Sequence, residues 1–160
     1  MKFPLSTCGT IKEIFMRGNP ERNPMSICNI CPRACKIERK RSASDRGTVG
    51  YCASGMLPVI SRAALHHWEE PCIAGTRGAG TVFFAGCNLS CVYCQNYEIS
   101  EMRKGIEVSV DRLKEIYQEL IRQGAHNIDL VTPTHYTHAI FQSLRDPLPV
   151  PVVYLSLIHI

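Results

Sequence analysis

Nowhere does this sequence hold an uncharged apolar run long enough to span a bilayer, and its start, Met1-Lys2-Phe3-Pro4-Leu5, lacks the apolar stretch of a secretory signal. No membrane reading is needed, and a cytoplasmic location is expected by default. Internal repeats and low-complexity tracts are also missing, so neither a repeat array nor a biased linker accounts for any part of the chain. Charge is modest, at 20% of residues with a net +4. The basic residues Lys36, Arg39, Lys40 and Arg41 lie in a polar loop with no interleaved aromatics. That pattern reads as a solvated loop and argues against a nucleic-acid surface. What is abundant is cysteine. Nine cysteines in 160 residues are an odd number, and seven fall in two tight groups, which suits metal ligation in a reducing compartment better than disulfides.

The two parts of the chain differ. Residues 1–62 carry 11 Lys/Arg against 4 Asp/Glu, and residues 63–160 carry 7 against 10. Near the start, Thr10-Ile11-Lys12-Glu13 is a capping-box pattern, and Ile11, Ile14 and Phe15 before Gly18 predict a short helix. Residues 19–62 show little periodicity and many Pro, Gly, Ser and Arg, so their order has to come from something other than a large apolar core, with metal as the candidate. From residue 81 the pattern alternates. Thr81–Ala85 reads as a strand; Val110, Leu113, Ile116, Tyr117, Leu120 and Ile121 share one helical face with Gly124 as the stop; Ile128–Val131 is a short strand. Tyr136, Ile140, Phe141 and Leu144 form a second helical stripe, and Val152-Val153-Tyr154 begins a third strand. Strand, helix, strand, helix, strand predicts parallel crossover units. Gly75, Gly78 and Gly80 precede a strand instead of opening a helix, so they form a connector and not a phosphate loop.

Two cysteine constellations carry chemistry. Cys87, Cys91 and Cys94 follow directly on the first strand, where barrel folds place their reactive loops. Three thiolates cannot complete an iron–sulfur cube, and one iron is left open to a substrate or cofactor. A zinc knuckle would need four ligands, and no fourth lies at short spacing. Cys28, Cys31, Cys35 and Cys52 form the second group, four soft ligands suited to a closed site holding zinc or an iron–sulfur cluster, with unmetallated buried cysteines as the alternative. Cys8 and Cys72 lack partners at ligand spacing and read as small hydrophobes. His66-His67 beside Trp68 has no nearby ligand set and reads as packing; His135 and His138 read as surface or capping residues.

Cys87-Asn88-Leu89-Ser90-Cys91-Val92-Tyr93-Cys94 resembles the signature of the radical S-adenosylmethionine (radical SAM) enzymes, with an aromatic before the last cysteine. His66-His67-Trp68-Glu69-Glu70-Pro71, the glycines from Gly75 to Gly80 and Gln95-Asn96-Tyr97-Glu98-Ile99-Ser100 resemble the pyruvate formate-lyase activating enzyme-like subgroup. The likeness runs from Cys28-Asn29-Ile30-Cys31-Pro32-Arg33 to Asn127–Tyr136 and covers most of residues 26–154. It implies an oxidoreductase with a 4Fe-4S cluster on Cys87, Cys91 and Cys94, whose open iron chelates S-adenosylmethionine. Reductive cleavage then yields a 5'-deoxyadenosyl radical that abstracts hydrogen from a substrate, chemistry that belongs to the cofactor. The resemblance places Tyr93 beside the adenine. Packing under the loop is that residue's other reading. A Gly-Gly-Glu stretch common in the wider superfamily is replaced by Val131-Thr132-Pro133-Thr134-His135-Tyr136, so Thr132, Thr134 or His135 would face the cofactor, with helix capping an equal account of Thr134. Implied partners are a one-electron reductant such as flavodoxin or ferredoxin and a glycyl-radical protein. A small-molecule substrate stays open.

The expected architecture is therefore α/β: the first three strands of a partial (β/α) barrel over 81–154, preceded by a helix and cysteine-rich segment over 1–62 and a Gly-rich connector over 63–80. Residues 155–160, Leu-Ser-Leu-Ile-His-Ile, read as a non-native tail on an amino-terminal fragment, itself inactive and poorly soluble. The competing hypothesis is a metal-stabilised nucleic-acid-binding module without catalysis.

Overall fold

A computed structural model describes residues 27–39, 41, 42 and 50–156. Its strands are β1 (Val59–His66), β2 (Ala79–Phe84), β3 (Ile106–Glu107), β4 (Ile128–Val131) and β5 (Val152–Leu155). The helices are α1 (Pro71–Ala74), α2 (Tyr97–Ser100), α3 (Val110–Arg122) and α4 (Thr137–Ser143), the last entered through a 3-10 turn at Thr134–Tyr136. Together the strands make one sheet in the order β3-β1-β2-β4-β5. β2, β4 and β5 run parallel, with Val82 opposite Leu130 and Leu130 opposite Tyr154. That is the alternating unit expected from residue 81 onward.

Ser109 caps α3, its hydroxyl accepting from the Arg112 N–H at 3.1 Å, and Asp111 and Arg122 sit at the ends that the helix dipole favours. Leu113, Ile116, Tyr117 and Leu120 are buried on its inner face. They join Val82, Phe84, Ile128, Leu130, Tyr136 and Ile140 in the core, so alternate residues of the parallel strands point at the helices. Phe141 departs from the expected stripe. It is exposed on the outer face of α4, because Ile140 and Ala139 already fill the inner one.

The sheet has five strands among the described residues, where the sequence reading had three. β1 pairs antiparallel with β2 along its length and β3 pairs antiparallel with β1, which adds an antiparallel flank to the parallel unit. The residue 62/63 division and the 63–80 connector of the sequence reading therefore cross β1, α1 and the start of β2. Val59-Ile-Ser-Arg-Ala-Ala-Leu-His66 lacks both alternation and β-branched density, so it gives little strand signal; pairing with β2 supplies what propensity does not. The helix expected at residues 11–18 lies outside the described residues, as do Cys8, Lys40 and residues 157–160.

Candidate metal centre and cofactor site

β2 ends at Phe84, and Ala85 and Gly86 lead straight into the cysteine loop. Gly86 has φ +84°, and a Cβ there would come within 2.9 Å of Ser54 Oγ and 3.0 Å of the Cys52 carbonyl oxygen, so glycine is required. Beyond it Cys87 and Cys94 are half-buried and Cys91 is exposed. The Leu89 N–H donates to Cys87 Sγ at 3.4 Å, and the Ser100 hydroxyl lies 3.3 Å from Cys94 Sγ. Both contacts suit thiolate sulfurs, which take such hydrogen bonds when they hold iron. Ser90, between the first two cysteines, has φ +52°, a left-handed conformation that turns the loop outward. Ser90, Cys91 and Val92 border a cleft of about 420 Å³ completed by Tyr51, Tyr97, Ser100 and Glu101. The loop thus offers three thiols on one turn, with open space beside the outermost one, and these features fit a cluster with a free coordination position. As they stand, no three or more His, Cys, Asp or Glu side chains among the described residues are arranged to hold a metal ion.

Tyr93 is 98% exposed and does not pack under its loop. Thr132, at the carboxyl end of β4, is a β-branched residue at φ +57°, backbone strain of the kind that gathers at functional sites. Thr134 is fully buried; it begins the 3-10 turn, which has no side-chain cap, and its carbonyl accepts from the Thr137 hydroxyl at 2.7 Å. Thr137 also meets the Tyr154 phenol at 2.6 Å.

His135 overturns the surface or capping role expected for it. It is 2% exposed, its Nε2 donates to the Ala85 carbonyl at 2.9 Å, and its ring lies 4.2 Å from that of Tyr136. Burial pushes its pKa down to about 4, so it is neutral, and with the proton on Nε2 its Nδ1 carries a lone pair that has no partner. Cys72 is likewise exposed instead of packed, because α1 buries only Ala74. Trp68 is exposed, and His66 packs edge-on to Phe83 while Nδ1 meets Glu69 at 3.0 Å.

Arg39 overturns the reading of the basic run as solvated. It is 5% exposed, and its guanidinium donates to the carbonyls of Ser54 (3.2 Å), His135 (2.6 Å) and Gly55. Lys36 and Arg41 do face solvent. Arg33 is a second link: it donates to the carbonyls of Asn88 (2.9 Å) and Leu89 (3.3 Å), inside the cysteine loop, and stacks 3.8 Å from the Tyr51 ring centroid. The amino-terminal cysteines thus sit behind the three-cysteine loop. Cys28, Cys31, Cys35 and Cys52 line one small cavity with Asn88 and His135. Burial pushes the Cys31 thiol up; its backbone contact to Arg33 opposes that, and Cys52, Cys28 and Cys35 add to the rise.

Asp129 is a buried acidic residue that sequence reasoning missed. It is fully buried on β4 opposite Thr81, both carboxylate oxygens lack hydrogen-bond partners, and burial, reinforced by Glu69, pushes its pKa up to about 6. An acidic residue between Ile128 and Leu130 was the available signal, since alternation points it to the face opposite the helical core.

Residues 81–146 match the model of the Radical SAM superfamily, a span that contains the whole three-cysteine loop. An 81-residue stretch, 51% of this chain, is 32% identical to an uncharacterized protein of Methanocaldococcus jannaschii; it spans about a fifth of that relative's length (21%). No solved structure matches. No helix among the described residues is long and apolar enough to cross a membrane.

Proposed function

We propose that this chain carries the cofactor-binding part of a radical SAM oxidoreductase, with Cys87, Cys91 and Cys94 as the ligands of a 4Fe-4S cluster and S-adenosylmethionine on its open iron. The observation that carries the reading is the family match across a loop whose three thiols follow the carboxyl end of β2. When bound, the cluster supplies one electron to the sulfonium of S-adenosylmethionine, and the product radical abstracts hydrogen. The chain's own residues provide the setting. The Leu89 N–H and Ser100 hydroxyl hold two sulfurs in orientation, Arg33 pins the loop backbone from outside, and exposed Tyr93 is free to cover an adenine. Thr132, in its strained conformation at the end of β4, is the first residue of that edge available to the cofactor. Thr134 is fully buried, and its side chain meets the Tyr154 phenol.

The finer reading is the pyruvate formate-lyase activating enzyme-like subgroup, supported by the stretches flanking the loop, with flavodoxin or ferredoxin as reductant and a glycyl-radical protein as the hydrogen donor. Arg39 is not part of any basic surface that the nucleic-acid alternative could use, since its guanidinium bonds buried carbonyls. Anaerobic reconstitution with iron and sulfide tests the proposal. A reduced electron paramagnetic resonance signal that shifts on adding S-adenosylmethionine is expected, and Cys91→Ala should abolish it. A signal indifferent to S-adenosylmethionine would rule out an open iron.

A further inference from the structure

The described residues from 27 to 57 contain no helix or strand, and their only buried hydrophobic side chains are Cys28 and Cys52. The segment is nevertheless strained. Ala34, Lys36 and Ala53 hold positive φ of 41°, 52° and 45°, each next to a cysteine of the amino-terminal group. Non-glycine residues in that region cost about 1 kcal/mol or more apiece, and a segment without a core has no packing to offset it. Hydrogen bonds from Cys28 to Ile37 and from Lys36 back to Cys28 close a turn that brings Cys28, Cys31 and Cys35 round one point. Cys52 arrives from the other side. The Tyr51 N–H already donates to Cys35 Sγ at 3.4 Å, the contact a metal-bound thiolate accepts.

The cavity these four cysteines line has a volume of about 10 Å³. One water-sized occupant needs about that much. Four irons and four sulfides do not fit such a space, whereas a single ion drawn in among the sulfurs does. Its wall also holds two buried polar atoms without partners, Asn88 Oδ1 and His135 Nδ1.

We infer that Cys28, Cys31, Cys35 and Cys52 bind one soft divalent metal ion of the zinc class in a closed, structural site that braces the Cys87–Cys94 loop from behind. Rotation of the four side chains about Cα–Cβ draws the sulfurs onto the ion and releases their protons to solvent. No redox change is involved. Arg33, between Cys31 and Cys35, carries the effect outward through its bonds to Asn88 and Leu89. The four ligands of the site are not those of the three-cysteine loop, so the two readings fail separately.

The test uses the chain with Cys87, Cys91 and Cys94 all replaced by Ala, produced with zinc and iron equally available and assayed for metals and acid-labile sulfide. About one zinc per chain without sulfide is expected. Iron with sulfide, or no bound metal, would overturn the inference, as would zinc that survives the further change of Cys28 and Cys52 to Ser. Should the triple variant fail to fold, zinc-edge X-ray absorption on the unaltered chain decides: four sulfurs at about 2.3 Å support the site, and a shell of nitrogen and oxygen alone overturns it. Stripping the zinc should also raise tryptic cleavage after Arg33 at least tenfold, and an unchanged rate would remove the bracing role.

Discussion

Arg39 and Asp129 are both buried charges, and they pull in opposite directions. Arg39 satisfies its donors on three carbonyls from two parts of the chain, so replacing it leaves those carbonyls bare. Arg39→Met should cost about 3 kcal/mol, the sum expected when several buried acceptors lose their partner, read as a lower urea midpoint. Asp129 has only the smaller influences of His66 and Thr81 to set against its desolvation. Its native pKa of about 6 lies above the ordinary carboxyl value, so the folded state holds the proton more tightly than the unfolded chain does. Stability is then lost as pH rises from about 4 to about 6. Asp129→Asn should match the parent near pH 4 and exceed it by on the order of 2 kcal/mol at pH 7. Denaturation at the two pH values measures this, and equal stabilities at pH 7 would mean that the carboxylate has a partner. Neither role could be read from the sequence. Arg39 stands in a run of basic residues that mostly face solvent, and whether a charge is buried depends on which backbone comes to meet it.

Local signals served best where one element contains its own instructions. α3 has its cap, its apolar stripe and its stop within 16 residues of sequence, from Ser109 to Gly124, and it forms as read. Ser109→Ala should remove about 1 kcal/mol without altering the fold, visible as a lower melting temperature with unchanged circular dichroism. β4 and β5 were legible for a similar reason: short, largely apolar runs beside proline mark parallel strands. β1 was not, since Ser61, Arg62, Ala63 and Ala64 have no strand preference of their own and its identity rests on β2. Tyr136 and Ile140 reached the core as their spacing predicted, whereas Phe141, one position on, turned out to be exposed. A stripe drawn with adjacent apolar residues overstates the width of the buried face.

For the molecule as a whole, the three-cysteine loop was the most legible part, because spacing, aromatic and preceding strand all lie within fourteen residues, and the family match covers it. The arrangement behind the loop was hidden, because it joins residues 33, 39, 52 and 54 to residues 86, 88 and 135 across sequence separations that no local pattern records. The boundaries of the family match, 81 and 146, consequently differ from those of a folding unit. They leave out β1, the antiparallel neighbour of β2, and β5, the parallel neighbour of β4. Residues 81–146 expressed alone should lack a cooperative unfolding transition, and the 160-residue chain should have one; a sharp transition from the short piece would contradict this. Gly86 extends the point to heredity. Its missing Cβ is what lets Ser54 and the Cys52 carbonyl approach from one side and His135 from another, within 3.3 Å of where that carbon would sit. A larger residue at 86 could be accepted only along with changes at 54 and 135, so these three positions should drift together among descendants of this gene, and a chimera that takes its amino-terminal segment from one lineage and its loop from another should fail at that junction first.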